Sequence, residues 1–191
     1  MFAYKNKYFL IIENTKDIDL KKIKKRGKFV IIYRNARITE KINSLKKFRK
    51  DCRLKQVSFY IANDLSLAIN LKSDGMYLSS HNRGFKSLNF RSFNFDIIGS
   101  AHDIKEVFLK KKQGCKNILF SRLFRVSYKP EMSYMGLNRF NSFVLKNSKK
   151  IVPLGGIKLS NLNKMKSVNS EGFALMSEIK KKPANIINRL F

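Results

Sequence analysis

The chain has 191 residues, of which 43% are hydrophobic and 28% are charged, so one folded domain spanning residues 1–191 with a sizeable core is expected. No segment approaches the roughly 18 uninterrupted apolar residues of a membrane span, and the apolar N-terminal run ends in acidic residues without a small-residue cleavage site. Lys and Arg number 41 against 13 Asp and Glu, which gives a formal net charge of +28.

This excess of positive charge favours a polyanionic partner, and nucleic acid is the first to consider. The basic residues are spread through nearly every segment, however, and the sequence has no zinc-finger spacing and no aromatic RNA-binding signature. We therefore expect only weak, non-specific nucleic-acid binding. The same positive electrostatic field would favour binding of phosphorylated small molecules. Cys52 and Cys115 form no metal-binding spacing, which fits reduced thiols in a cytoplasmic protein.

Taken in chain order, apolar runs alternate with segments of helical spacing. The runs predict strands at 7–14, 28–35, 58–63, 75–80, 95–101, 116–124, 149–156 and 172–179. The intervening segments predict helices at 17–27, 38–56, 65–72, 103–113, 137–147, 158–170 and 183–191. Two stretches are expected to be irregular, namely 81–93, with Phe85, Leu88 and Phe90 as anchors, and the long loop 125–136.

About eight alternating units predict an α/β fold, a small single-domain (β/α)8 TIM barrel. The alternative is an open doubly wound sheet, whose usual glycine-rich turn after the first strand is missing here.

Several predicted strands stop at Gly, Ser, Asn or Asp and pass directly into a helical pattern. The stops are IANDLSLA (61–68), SDGMYLSS (73–80), IIGSAHDIKE (97–106), VPLGGIKLSN (152–161) and EGFALMSEI (171–179). In a (β/α)8 barrel, the carboxyl ends of the strands lie on the face that carries the chemistry. The residues expected together at this rim are Arg34, Asn63, Ser79, Ser100, Phe124, Gly155 and Ser177.

The order and content of these stops resemble the thiamine phosphate synthase / TenI family of phosphate-handling barrels, from about Tyr8 to Ile179. The resemblance implies a function in thiamine biosynthesis. The synthase branch joins hydroxymethylpyrimidine diphosphate to thiazole phosphate with release of diphosphate, and the TenI branch tautomerises a thiazole phosphate.

Gly155 and Gly156 end the seventh predicted strand, and Ser177 stands near the end of the eighth. A glycine pair lets backbone N–H groups approach a phosphate, and the loops after strands seven and eight are the usual phosphate site of such barrels. The alternative is that the glycines only allow a tight turn. We expect a monophosphate at Gly156 and Ser177, and we expect Gly156→Asp to abolish its binding while leaving the fold largely intact.

Asn63 and Asp64 end the third predicted strand and match the family's Asn-Asp pair, which contacts the diphosphate and its magnesium. A carboxylate and an amide oxygen suit Mg²⁺. Asp64 could equally cap the helix that starts at Leu65. The family has a second acidic ligand after strand four, where this chain has Asn82.

Arg34 and Lys129 match two of the family's phosphate-binding positions. An arginine at a strand end can bind phosphate with two parallel hydrogen bonds, and a lysine binds it as a point charge. Either residue could also be an ordinary surface cation. The chain departs from the family's motifs at Ile32, Ala36, Val126 and Tyr128.

Ser100 and His102 follow the fifth predicted strand and resemble the family's Ser-x-His. The resemblance implies that Ser100 contacts diphosphate in a synthase and that His102 is the acid or base in a tautomerase. Histidine suits proton transfer near neutral pH, although a histidine that only bonds to its neighbours is the alternative.

These observations favour a synthase-like transferase that uses Mg²⁺. Two alternatives remain open: a metal-free tautomerase, and a degenerate barrel that binds phosphorylated ligands or nucleic acid without catalysis.

Overall fold

The computed structural model describes residues 5–24, 27–35, 40–85, 95–148, 150–181 and 190. Within these residues, eight strands form one parallel sheet in the order β7-β6-β5-β4-β3-β2-β1-β8. The strands are β1 (Lys7–Ile12), β2 (Phe29–Tyr33), β3 (Ser58–Ala62), β4 (Gly75–Leu78), β5 (Asp96–Ala101), β6 (Asn117–Ser121), β7 (Ile151–Leu154) and β8 (Gly172–Leu175). Because β7 and β8 also lie side by side, the sheet nearly closes into the predicted barrel.

The helices within the described residues are α1 (Ile42–Leu54), α2 (Leu65–Asn70), α3 (Ile104–Lys112), α4 (Leu137–Asn147) and α5 (Ser177–Lys181). Each of α1 to α4 lies inside a predicted helix. Among the described residues, no helix is long and apolar enough to cross a membrane. The predicted terminal helix 183–191 and the predicted anchors Leu88 and Phe90 lie outside these residues, apart from Leu190, which is buried.

Side chains alternate along each strand between the inside of the barrel and the layer under the helices, as the period of a β-strand requires. Along β1, Phe9 and Ile11 belong to the inner cluster, whereas Tyr8, Leu10 and Ile12 belong to the outer one. The inner cluster consists of Phe9, Ile11, Val30, Ile32, Tyr60, Tyr77, Ile98, Leu119, Val152 and Ala174. The interior of the barrel is therefore packed, and a ligand has to bind at its mouth.

The segment after β1 corrects the predicted helix 17–27. It contains two short 3₁₀ turns, Thr15–Asp17 and Leu20–Lys22. The side chains of Asn14 and Asp19 each accept a hydrogen bond from the backbone N–H two residues ahead, so each starts its own turn. These local bonds compete with a continuous α-helix.

Other element ends also differ from the sequence prediction. The predicted helix 158–170 is a 3₁₀ segment at Leu159–Ser167, and the predicted strand 172–179 ends at Leu175, so Ser177 is the first residue of α5. Strand six ends at Ser121 instead of Phe124. Phe85, predicted as an anchor, is 48% exposed.

An ion pair between Arg49 and Asp74 holds the amino-terminal end of the barrel together. The buried guanidinium of Arg49 donates to both carboxylate oxygens of Asp74, at 2.9 and 2.6 Å, and to the carbonyl of Lys72. The same carboxylate accepts the backbone N–H of Phe59 at 2.8 Å. One carboxylate therefore connects α1, β3 and the start of β4 on the face opposite the strand ends.

We expect Asp74→Ala to lower the free energy of unfolding by about 2–3 kcal/mol, because the buried guanidinium would lose its counter-charge. The control is Lys116→Ala, which breaks an exposed ion pair with Asp96 and should cost less than about 0.5 kcal/mol. Urea denaturation measures both losses. Equal losses in the two variants would contradict this role of Asp74.

Candidate active site

A cavity of about 440 Å³ opens at the carboxyl ends of the strands. Of the predicted site residues, six line it: Arg34, Ser100, His102, Gly155, Gly156 and Ser177. Ser79 lines it as well, so residues that follow β2, β4, β5, β7 and β8 meet in one place. The prediction that the strand stops share one rim is confirmed for these residues, whereas Asn63 and Phe124, which it also included, do not line the cavity.

Hydroxyl groups and one arginine form the side of the cavity next to β4 and β5. Ser79, Ser80 and Ser100 line this side, with Tyr77 beneath them. The Tyr77 hydroxyl hydrogen-bonds with the Ser100 side chain. Burial raises the pKa of Tyr77, against the smaller opposing effects of Ser100 and of the positive charge of Arg34. Tyr77 therefore stays a neutral hydroxyl at the floor of the cavity.

Arg34 follows β2 directly, and its backbone N–H donates to the carbonyl of Ile12 at 2.8 Å. Its side chain is half-buried and has no acidic partner among the described residues. Ile32, one of the departures from the family's motif, is fully buried in the inner cluster. Ala36 and the nearby Arg37 lie outside the described residues.

A tight turn at Gly155 and Gly156 forms the opposite side of the cavity. Both glycines have positive φ, +92° and +71°, a region that other residues rarely adopt. Asn161 fixes the turn, because its amide donates to the Gly156 carbonyl and accepts the Lys158 N–H, each at 2.8 Å.

The turn leaves no room for a side chain at Gly156. A Cβ there would lie 2.5 Å from the carbonyl oxygen of Phe124. The expectation that Gly156→Asp would leave the fold largely intact is therefore wrong, since this change would disturb the turn whether or not an anion binds.

His102 is half-exposed and is held by Glu106 of α3. Glu106 Oε2 accepts the backbone N–H of His102 at 2.7 Å and lies 3.2 Å from His102 Nδ1. Because a carboxylate only accepts hydrogen bonds, this contact favours the proton on Nδ1 and leaves Nε2 as the basic atom. Asp103 caps α3 through the backbone N–H of Glu106 at 2.8 Å, which fixes the first turn that carries Glu106.

Asn63 and Asp64 lie at the same rim but do not line the cavity. Asp64 Oδ1 accepts the Leu67 N–H at 2.9 Å, so it caps α2. Asn63 has φ +56° and bonds to Ser79, accepting its N–H at 3.1 Å and donating to its hydroxyl at 3.1 Å. The pair therefore joins the ends of β3 and β4.

A magnesium ion fits this corner only together with a ligand that brings its own oxygens. The hydrogen bonds of the described residues leave Asp64 Oδ2 available, whereas Asn63 Oδ1 is occupied and Asn82 carries no charge. No group of three or more His, Cys, Asp or Glu suited to a metal occurs in the described part of the chain. Mg²⁺ is commonly held by one or two carboxylates plus substrate phosphates. Asp64 would therefore be the ligand that the protein supplies to the ion.

Lys129 lies in the loop after β6, is exposed and does not line the cavity. From the same loop, Val126 and Tyr128 do line it, the first buried and the second 67% exposed. The assignment of Lys129 as a phosphate ligand stays a prediction.

Sequence reasoning missed several residues that line the cavity, among them Tyr77, Lys158, Glu178 and Lys181. Lys158 could have been predicted from the sequence, because it lies two residues after Gly156, which the sequence analysis placed at the phosphate site. Among the described lining residues, Arg34, Lys158 and Lys181 have basic side chains and Glu178 is the single carboxylate. The cavity therefore favours anions.

The fold and the site define a parallel eight-stranded barrel with cations and hydroxyl groups at its mouth. A family model described as thiamine monophosphate synthase matches residues 13–179. The thiamine-phosphate synthase of Clostridioides difficile is 25% identical over 149 residues, which are 78% of this chain and 71% of that protein. That of Prochlorococcus marinus is 25% identical over 139 residues, which are 72% of this chain and 40% of that protein.

Among solved structures, thiamine phosphate pyrophosphorylase from Pyrococcus furiosus matches with a TM-score of 0.71, 16% identity and 100% coverage of both chains. This likeness establishes the fold. The match over residues 13–179 establishes the family, and the chain belongs to the thiamine monophosphate synthase family. Membership supports a function in thiamine biosynthesis.

The cap at Asp64 can be tested apart from any ligand. We expect Asp64→Ala to lower the free energy of unfolding by about 1 kcal/mol, and Asp64→Asn to lower it by less than about 0.5 kcal/mol, because Asn caps helices as well as Asp does. Thermal and urea unfolding without ligand measure both values. If the two variants lost the same stability, the cap would not be what Asp64 contributes.

Proposed function

We propose that this protein is a thiamine phosphate synthase, which joins hydroxymethylpyrimidine diphosphate to thiazole phosphate and releases diphosphate. The observation that carries the proposal is one cavity that reaches from the ends of β4 and β5 to the ends of β7 and β8. In a barrel with strands in chain order, β4 stands opposite β8. Side chains and backbone groups suited to anions therefore occur on both sides of a space that two substrates would share.

The diphosphate is assigned to the side formed by Arg34, Ser79, Ser80 and Ser100. A guanidinium binds two phosphate oxygens in parallel, and the serine hydroxyls add neutral donors. The thiazole phosphate is assigned to the side formed by Gly156, Lys158 and Ser177. There the turn brings the backbone close, the first N–H groups of α5 lack partners within the helix, and Lys158 adds charge.

The reaction needs charge stabilisation more than proton transfer. The bond between the pyrimidine methylene carbon and the diphosphate oxygen breaks, and its electron pair leaves with the diphosphate. The thiazole nitrogen then forms the new bond with its lone pair. Arg34 would stabilise the growing negative charge of the leaving group. Mg²⁺, carried by the diphosphate and held by Asp64, would supply further positive charge there.

The pair His102–Glu106 favours a second candidate, the tautomerisation of a thiazole phosphate. His102 lines the cavity, and its contact with Glu106 leaves Nε2 as a base. This reaction would need His102 and the phosphate side of the cavity but neither Asp64 nor metal.

The phosphate side is tested by Ser177→Asp. Ser177 is exposed at the start of α5, where an acidic residue suits the helix, so the fold should tolerate the change while the new charge repels an anion. We expect the affinity for thiazole phosphate, measured by calorimetry, to fall at least about tenfold. The matched control is Ser44→Asp, an exposed serine in the first turn of α1 that does not line the cavity. Equal affinity of Ser177→Asp and wild type would place the phosphate elsewhere.

The two reactions predict opposite responses at Asp64 and His102. For a synthase, thiamine phosphate formation followed by chromatography should require Mg²⁺, fall at least about a hundredfold in Asp64→Asn, and fall less than about tenfold in His102→Gln. For a tautomerase, the rate of isomerisation should be unaffected by EDTA and by Asp64→Asn. It should fall at least about a hundredfold in His102→Gln. A protein inactive in both assays would be a binding barrel without catalysis.

A further inference from the structure

Lys110 of α3 is a fully buried lysine that neither proposed reaction uses. Its side chain is 0% exposed. The ammonium donates to the backbone carbonyls of Ser79 and Asn82, each at 2.7 Å, and to Gln113 Oε1 at 2.9 Å. It therefore reaches from α3 to the segment that follows β4.

These partners favour the charged form of Lys110. All three are acceptors, and only an ammonium has three N–H donors for them, since a neutral amine would turn its lone pair towards an oxygen. Burial lowers the pKa of Lys110, whereas the negative charge of Glu106 acts to raise it. Burial raises the pKa of the neighbouring Cys115 to about 12, so this thiol is neutral near pH 7 and supplies no counter-charge to the ammonium.

The surroundings leave space for the stem of the Lys110 side chain. Gly99 of β5 lies under the lysine stem, and a Cβ there would lie 2.8 Å from Lys110 Cδ. Gln113 supports the same segment, because its amide donates to the carbonyls of Asn82 and Gly84 at 3.0 and 2.7 Å. A methionine would fill the site without the cost of burying a charge, so packing alone does not account for a lysine here.

The ammonium lies directly behind the cavity wall. Ser79, whose carbonyl it binds, lines the cavity together with Ser80 and His81. The same bond draws electron density from the peptide between Ser79 and Ser80. Ser79 is further joined to Asn63, next to Asp64, through its N–H. A fixed positive charge is thus built into the corner where the diphosphate is assigned.

We propose that Lys110 is a fixed internal cation that strengthens binding of the diphosphate group, in part taking over the role of a divalent metal in holding this anion. The proposal rests on the assignment of the diphosphate to the β4–β5 side of the cavity. Lys110 touches no ligand itself; it is a positioning residue that acts through the Ser79–Asn82 segment and through its charge.

The test is the affinity for inorganic pyrophosphate, measured by calorimetry in EDTA and in Mg²⁺. Wild type should bind in EDTA within about tenfold of its affinity in Mg²⁺. Lys110→Met should lose at least about tenfold in EDTA and regain part of the loss in Mg²⁺. Gln113→Met removes the second support of the segment and keeps the ammonium, so it should lose less than about threefold. Lys112→Met removes the same charge from the exposed face of α3 and should match wild type.

Three results would each overturn the proposal: wild type that binds pyrophosphate only in Mg²⁺, Lys110→Met that binds like wild type in EDTA, or Gln113→Met that loses as much as Lys110→Met. The first needs no variant, so it applies even if Lys110→Met does not fold, which circular dichroism would reveal. Failure of wild type to form thiamine phosphate, with pyrophosphate binding intact, would overturn the proposed reaction and leave the assignment of Lys110 standing.

Discussion

Pairing of the eight parallel strands in chain order is the constraint on which the rest of this molecule depends. It brings every carboxyl end to one rim and every amino end to the other. It also buries both faces of each strand, because the inner side chains fill the barrel and the outer ones pack under the helices. With the interior full, the mouth is the place where side chains from β2, β4, β5, β7 and β8 can meet a ligand together.

The buried cations at the two ends of the barrel have different kinds of partner. At the amino end, Arg49 and Asp74 form an ion pair and also bond to the backbone around them. At the carboxyl end, Lys110 is satisfied by carbonyl oxygens alone and its charge is left without a carboxylate at hydrogen-bond distance in the described residues. An unneutralised charge near a cavity acts on whatever anion enters it, whereas the pair at the amino end acts on stability.

Several polar side chains near the mouth stabilise helix starts and turns. Asp64 caps α2, Glu106 holds the start of α3, and Asn161 fixes the glycine turn. Asp64 and Glu106 each have one carboxylate oxygen committed to the backbone, and Asn161 has both its oxygen and its nitrogen committed. In the part of the chain that the structure describes, no group of three or more His, Cys, Asp or Glu is suited to a metal, so the proposed binding of anions depends more on the cations at the mouth.

The sequence by itself determined the strand order, the barrel and several of the residues at the mouth, because apolar runs, their stops and the glycine pair are local signals. It predicted that Arg34, Ser100, His102, Gly155, Gly156 and Ser177 lie together at the strand ends, and in the structure they line one cavity. Local bonds from Asn14 and Asp19 broke a helix that periodicity alone predicted. Only the tertiary structure decided that Lys110, one of several lysines in α3, is buried, because its partners Ser79 and Asn82 stand 31 and 28 residues away. Burial and the pairing of charges depend on such distant contacts, which no local pattern records.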